Sequence, residues 1–291
     1  MTVKLKIGPL YVWVDCPEQF PWTDEVAIFR TEDVPQNTAQ VFYTLEFTQE
    51  FAPLWGKMLY DGPQLTIMEV GGLEHRIHYL PGSREPFALS RRMDDTHVHL
   101  WIDQRARHAL KWDRNLLGLL SLEHDCLLGH AFLLHASFVI QNGQAIIFTA
   151  PSGSGKSTQA DLWHKYAGAQ IINGDRTLVF QENGTWYAGG FPVCGSSPYC
   201  LNQSAPVAAV VCLEKYPENQ ALQIGPLQAM NRVYSQAFVN RWSAEDCRRI
   251  CDMVLDLSAQ VKVFHYQCTK EPDAVAYLNN LIFPTERKEG I

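Results

Sequence analysis

Apolar and polar positions follow two different patterns along the chain. Over residues 1–112, short β-branched and aromatic runs at 3–7, 10–14, 26–29, 41–47, 65–70, 75–80 and 97–102 are separated by Pro, Gly, Asp and Asn. The runs at 41–47 and 97–101 alternate with a period of two, which predicts a β-rich unit. Residues 83–95 carry Arg84, Arg91 and Arg92 against Asp94 and Asp95. That stretch reads as a solvated loop. Leu116, Leu117, Leu120, Leu127 and Leu128 then recur at helical spacing and predict one helix over 114–130. The chain is therefore expected to divide into a β-rich N-terminal domain, 1–112, and an α/β domain with a leading helix, 113–291. No linker rich in Pro, Gly or Ser lies between them.

From residue 133 the order becomes strand, turn, strand, loop, helix, strand. Runs 134–140 and 145–149 are strongly apolar, and Asn142-Gly143 between them is the usual pair for a two-residue type I′ turn. A helix is expected over 156–167, with Gly168 at its C-terminal end. A strand follows at 170–172, then a second hairpin of 177–180 and 186–188 about Asn183-Gly184. Further on, 207–213 reads as a buried strand and 243–257 as a helix with Ser243 and Asp246 at capping spacing. Strand 261–266 and helix 272–281 complete the pattern. Residues 191–206 form a Gly/Ser/Pro-rich loop with Ser196, Ser197 and Tyr199, read either as substrate-facing or as an irregular connection.

Composition narrows the partners more than the fold. The formal net charge is -7, so the mean field repels nucleic acid and anionic membrane. No run approaches the roughly 20 apolar residues of a membrane span, and residues 1–10 lack a signal-peptide core. The expectation is a cytoplasmic protein with no nucleic-acid or membrane partner. The eight cysteines include no C-x-x-C pair, which favours reduced thiols over a disulfide frame or a zinc site.

The chemistry concentrates at Ala150-Pro-Ser152-Gly153-Ser154-Gly155-Lys156-Ser157-Thr158, a G-x-x-x-x-G-K-[ST] phosphate loop with Ala in place of the first Gly. Gly153 and Gly155 let successive N–H groups converge on phosphate oxygens, and the following helix adds its positive end. Lys156 supplies charge to the β- and γ-phosphates, and the Ser157 hydroxyl is suited to Mg²⁺. With Asn142 and Gly143 as loop residues, counting back pairs His135 with Ala150. His135 then stands at the mouth of the loop, as a phosphate or proton contact, or as a strand-end core residue. Asp175 is the first carboxylate after the next strand and the candidate Mg²⁺ ligand. Arg176 is a candidate phosphate contact or a surface arginine. Arg232 and Arg241 are read the same way.

The segment His135-Ala-Ser-Phe-Val, hairpin, A-P-S-G-S-G-K-S-T, helix, I-I-N-G-D-R resembles the catalytic domain of HPr kinase/phosphorylase. That fold is shared in part with ATP-using phosphoenolpyruvate carboxykinases, and similar enzymes phosphorylate a serine of a peptide. The resemblance is clear over 133–181 and loose to 285. It implies an α/β, P-loop HPr-kinase-like fold, ATP and Mg²⁺ as cofactors, and a protein or peptide hydroxyl as acceptor. It implies that His135 and Lys156 lie at the phosphates, that Ser157 and Asp175 hold the metal, and it leaves a homo-oligomer open. The family carries two adjacent aspartates. Here Asp175 fits the second, with Gly174 at the first, or a shift of one makes Asp175 the first and Arg176 the second. Either way one carboxylate is missing.

Small-molecule kinases of the gluconate and adenylylsulfate type carry a similar loop and a D-G-D motif. They usually start at the phosphate-loop strand, whereas here an antiparallel strand precedes it. A nucleotide-gated binding protein without transfer is the remaining alternative, favoured by the missing carboxylate.

Overall fold

The computed structural model describes residues 1–52, 54–111 and 113–284 of the chain. It is a mixed α/β protein with two large sheets and few helices. Contacts divide it into two compact units, Met1–Gly129 with Asn240–Asp246, and His130–Val239 with Cys247–Ile291. The boundary expected at 112 falls on a residue outside those described, as do residues 285–291 of the expected second domain.

The first unit is built on eight strands: β1 (Thr2–Ile7), β2 (Leu10–Asp15), β3 (Ala39–Thr48), β4 (Lys57–Asp61), β5 (Leu65–Val70), β6 (Leu73–Tyr79), β7 (Pro86–Arg92) and β8 (His97–Asp103). Their order is β1-β2-β3-β8-β7-β6-β5-β4, with β3 parallel to both β2 and β8. Alternation sends Val41, Tyr43 and Leu45 of β3 inward with Leu100 and Ile102 of β8.

Three expectations fail in this unit. Residues 26–29 are not a strand, because Asp24–Ala27 is a short helix (α1) and only Arg30 bridges to Leu5. Residues 83–95 are not a solvated loop, because β7 lies within them and pairs on both sides. Arg92 of β7 donates to Asp125 at 2.6 Å, and the carboxylate it meets is fully buried. The Tyr43 hydroxyl donates to the same carboxylate. A charge with a buried partner far along the chain looks like a solvated one in sequence. The single helix over 114–130 is instead α2 (Asp113–Leu117), a turn, α3 (Leu122–Asp125) and a 3-10 turn at Cys126–Gly129. Gly118 starts the break, and Leu119 and Leu120 bond three residues back rather than four.

The second unit contains β9 (Ala131–Gln141), β10 (Gln144–Thr149), α4 (Lys156–Ala167), β11 (Gln170–Asn173), β12 (Arg176–Glu182), β13 (Thr185–Gly189), β14 (Ser204–Lys215), β15 (Gln220–Gln223), α5 (Pro226–Tyr234), β16 (Lys262–Cys268) and α7 (Asp273–Ile282). A further helix, α6 (Ala244–Gln260), begins in the 240–246 stretch of the first unit, where Ser243 caps Asp246 N–H at 3.2 Å. The sheet runs β10-β9-β12-β13-β14-β16-β15, and β14 also pairs with β10. The pairings of β10, β9, β12, β13 and β14 thus close on themselves. β11 lies against β9.

Both Asn-Gly hairpins form with the expected backbone. Asn142 and Gly143 have φ 52° and 74°, and Asn183 and Gly184 have φ 49° and 77°. That is the positive-φ pair a type I′ turn requires. Buried Phe148 of β10 packs on Trp163 of α4 at 6.0 Å, and α4 ends at Gly168 with φ 70°. These contacts fix α4 at the end of β10. No described helix is long and apolar enough to cross a membrane. All eight cysteines are free thiols.

Candidate phosphate-binding site

The loop between β10 and α4 follows from two glycines. Gly153 and Gly155 have φ 77° and 103°. A Cβ at either would meet nothing, so backbone conformation rather than space is the constraint. The loop closes through Ser154 N–H donating to Pro151 O at 3.2 Å. Lys156 then opens α4, whose first turn, with its unpaired N–H groups, lines the cavity.

Lys156 is almost wholly buried, with 6% exposure. Its Nζ donates to Ala150 O at 2.9 Å, to Pro151 O at 3.3 Å, and to His135 Nε2 at 2.9 Å. Three acceptors meet the three protons of the ammonium. Burial pulls its pKa below the ordinary lysine value, and the Asp175 carboxylate opposes that shift.

His135 is positioned by pairing. The β9–β10 register sets Thr149 opposite Ala136, so His135 lies opposite Ala150 as the hairpin count predicts. On its other side it pairs with Arg176 of β12. Its Nε2 accepts from Lys156, which assigns the proton to Nδ1. Nδ1 then donates to the Asp175 backbone O at 3.2 Å. Burial, and next the Lys156 charge, hold the imidazole pKa below its ordinary value.

The Asp175 carboxylate lies 3.5 Å from His135 Nδ1 and 3.7 Å from Arg176 Nε. The Arg176 guanidinium also covers the Phe238 ring at 4.7 Å. The Ser157 hydroxyl donates to Gly174 O at 3.4 Å, bringing it to the turn that carries Asp175.

That turn is shaped by Asn173, which sequence reasoning passed over. Its side chain is fully buried. Oδ1 accepts from Asp175 N–H and Arg176 N–H, each at 2.9 Å, while Nδ2 donates to Phe191 O at 2.8 Å and Val193 O at 3.1 Å. One amide thus joins the carboxylate turn to the start of the 191–203 loop. The Asn-Gly-Asp triplet was a visible signal for the turn. Nothing local signalled the loop it holds.

These groups border one cavity of about 820 Å³. Ser152, Gly153, Ser154, Gly155, Ser157 and Thr158 line it, together with His135, Lys156 and Asp175. Cys194, Ser196, Ser197, Lys215, Tyr216 and Lys270 also line it. Arg176, Arg232 and Arg241 are not among the lining residues. The chemistry available is that of an anion cradle: free N–H groups, a buried ammonium and a serine hydroxyl, with Asp175 and Glu271 as the carboxylates of the lining. Among the described residues no group of three or more His, Cys, Asp or Glu is arranged to hold a metal. A cation at Ser157 and Asp175 would need oxygens from a bound phosphate, and that donor set fits Mg²⁺ carried in with a polyphosphate.

No curated protein matches the chain. Among solved structures, the HPr(Ser) kinase/phosphatase from Coxiella burnetii aligns over 52% of this chain and 87% of its own, at 13% identity and a TM-score of 0.31. The family model described as SynChlorMet cassette protein ScmC matches residues 119–269, which include the glycine loop, Asp175 and the 191–203 loop. That match spans more than half of the 291 residues, and the chain belongs to the SynChlorMet cassette protein ScmC family.

Proposed function

We propose that the chain is an ATP-dependent kinase that uses Mg²⁺ to transfer the γ-phosphoryl group to a serine or threonine hydroxyl of a protein or peptide. The observation that carries this is the convergence of Lys156, His135, Ser157 and Asp175 on the one cavity bordered by the glycine loop. In phosphoryl transfer the protein mostly positions groups and neutralises charge, and these are groups of the required kind. The Gly153 and Gly155 backbone and the α4 N-terminus hold phosphate oxygens. Lys156 turns from its loop carbonyls to the β- and γ-phosphates. Ser157 and Asp175 hold the metal, which draws charge from the phosphates when bound. His135 orients Lys156 through Nε2. The 1–112 region recognises the acceptor, since it carries no phosphate-binding signal of its own.

The alternative, nucleotide-gated binding without transfer, rests on the single carboxylate at 174–176. A γ-labelled ATP assay separates the two. The family name describes a cassette protein, so peptides encoded beside the gene are the first acceptors to try. Transfer is expected, and Lys156→Ala should lower it by about 10³-fold, since loss of one such contact costs several kcal/mol in the transition state. Near-wild-type transfer by a folded Lys156→Ala protein would overturn the assignment.

A further inference from the structure

The loop over 191–203 is pinned to β11 at both ends. Asn173 Nδ2 holds Phe191 O and Val193 O at the start, while Asn173 bridges to Cys200 and Leu201 N–H donates to Ile172 O at 3.0 Å at the end. The tip over 194–199 is thereby held over the Gly174-Asp175 turn. Gly195, at φ 63°, lies so close that a Cβ there would stand 2.8 Å from Asp175 Cγ. A Cβ on Gly174 would land on the Ser197 hydroxyl.

Gly174 is therefore touched from two sides. Its carbonyl accepts from Ser157, and Ser197 Oγ stands at its Cα. The space beside the Gly174 Cα is filled by a serine hydroxyl of the same chain. That hydroxyl is half-buried on the wall of the phosphate cavity. It accepts from Tyr199 N–H at 3.2 Å, which orients it and leaves its own proton free to be given up.

Resting on the kinase reading above, we propose that Ser197 is an internal phosphoryl acceptor. The pinned tip holds it as a tethered reactant beside the γ-phosphate, so the step is unimolecular in the protein. Ser197 Oγ forms a bond to the γ-phosphorus of ATP as the bond to the β,γ-bridging oxygen breaks. ADP departs with that electron pair, and the hydroxyl proton passes to an oxygen of the transferred phosphoryl group, which leaves Asp175 to the metal. The product phosphoserine puts about two negative charges beside Asp175, so it should push the tip away from the turn by like-charge repulsion.

The test incubates the full chain with Mg²⁺ and γ-labelled ATP, with and without a serine peptide acceptor, and maps label by peptide mass spectrometry. Nucleotide affinity is measured in parallel. One phosphoryl group on Ser197 is expected, at a rate unchanged by tenfold dilution, and lost in Ser197→Ala and in Lys156→Ala. Ser197→Ala should still bind ATP, which shows that the loss is of the acceptor and not of the fold. Label confined to Ser196, or a rate proportional to protein concentration, overturns the proposal. Label on the peptide with none on Ser197 overturns it while leaving the kinase reading intact. Failure of ATP to bind overturns both.

Discussion

At the scale of the residue, the site turns on one carboxylate whose surroundings are unusually well defined. Asp175 has its backbone N–H held by Asn173, its backbone O by His135 and its side chain between His135 and Arg176. If it holds Mg²⁺, Asp175→Asn removes the charge but keeps the turn, because Asn suits the same geometry. Nucleotide affinity should then persist through the loop amides and Lys156, while Mg²⁺ no longer strengthens it and most transfer is lost. Titrating ATP with and without Mg²⁺ in this variant reads the difference. An unchanged Mg²⁺ enhancement would move the metal role to another group. The place of Lys156 at the start of α4 and of His135 opposite Ala150 was legible in sequence, because motif and hairpin count fix them locally. Asn173 and Ser197 were not assigned roles, since their partners lie across a loop with no periodicity to read.

At the scale of the element, legibility followed how local the determinants are. Helix α4 and both Asn-Gly hairpins came out as expected, because a loop with two positive-φ glycines, a C-terminal Gly168 and two type I′ pairs each specify their own backbone. Strand β7 was hidden by its arginines, and α5 and β15 went unread because they are short, nine and four residues, and bury few side chains. The 114–130 stretch failed for the opposite reason. Leu116, Leu117, Leu119, Leu120 and Leu122 are all buried, so the segment is apolar around its whole circumference rather than along one stripe. The element that misled most also makes a strong prediction. Arg92 of β7 and Asp125 of α3 form a buried pair to which Tyr43 and Ser121 also bond. Asp125→Ala leaves Arg92 charged and unpaired in that interior. It should destabilise the protein by roughly 3–5 kcal/mol. Urea unfolding measures this, and a loss under about 1 kcal/mol would mean that water reaches the guanidinium.

At the scale of the whole molecule, buried ionisable groups are spread unevenly, and acid should therefore act unevenly. The first unit buries Arg76, Asp125, His75 and His78. His78 is the most perturbed of its histidines: burial, and then the Arg76 charge, push its pKa down to about 3. Its neutral form is thus the folded form. An unfolded histidine takes a proton near pH 6.5, so below that pH the unfolded state binds a proton the native state does not. The stability His78 allows is complete above about pH 6.5 and declines as pH falls toward 3, by roughly 1.4 kcal/mol per pH unit. His78→Leu removes the titration while keeping an apolar side chain in place. Amide hydrogen exchange, compared between this variant and wild type at matched pH, localises the effect. At pH 7 the two proteins should differ by packing alone. At pH 4.5 the variant should hold more protection than wild type in peptides of the first unit, relative to their difference at pH 7. If the chain binds MgATP as proposed, the nucleotide should act elsewhere, raising protection in peptides of the 150–158 loop and of the 191–203 loop, because a ligand stabilises the state that binds it. Acid sensitivity unchanged by His78→Leu would assign the acid limb to the carboxylates Glu74 and Asp246, whose pKa values are held low by charged and hydrogen-bonding partners against the cost of their burial.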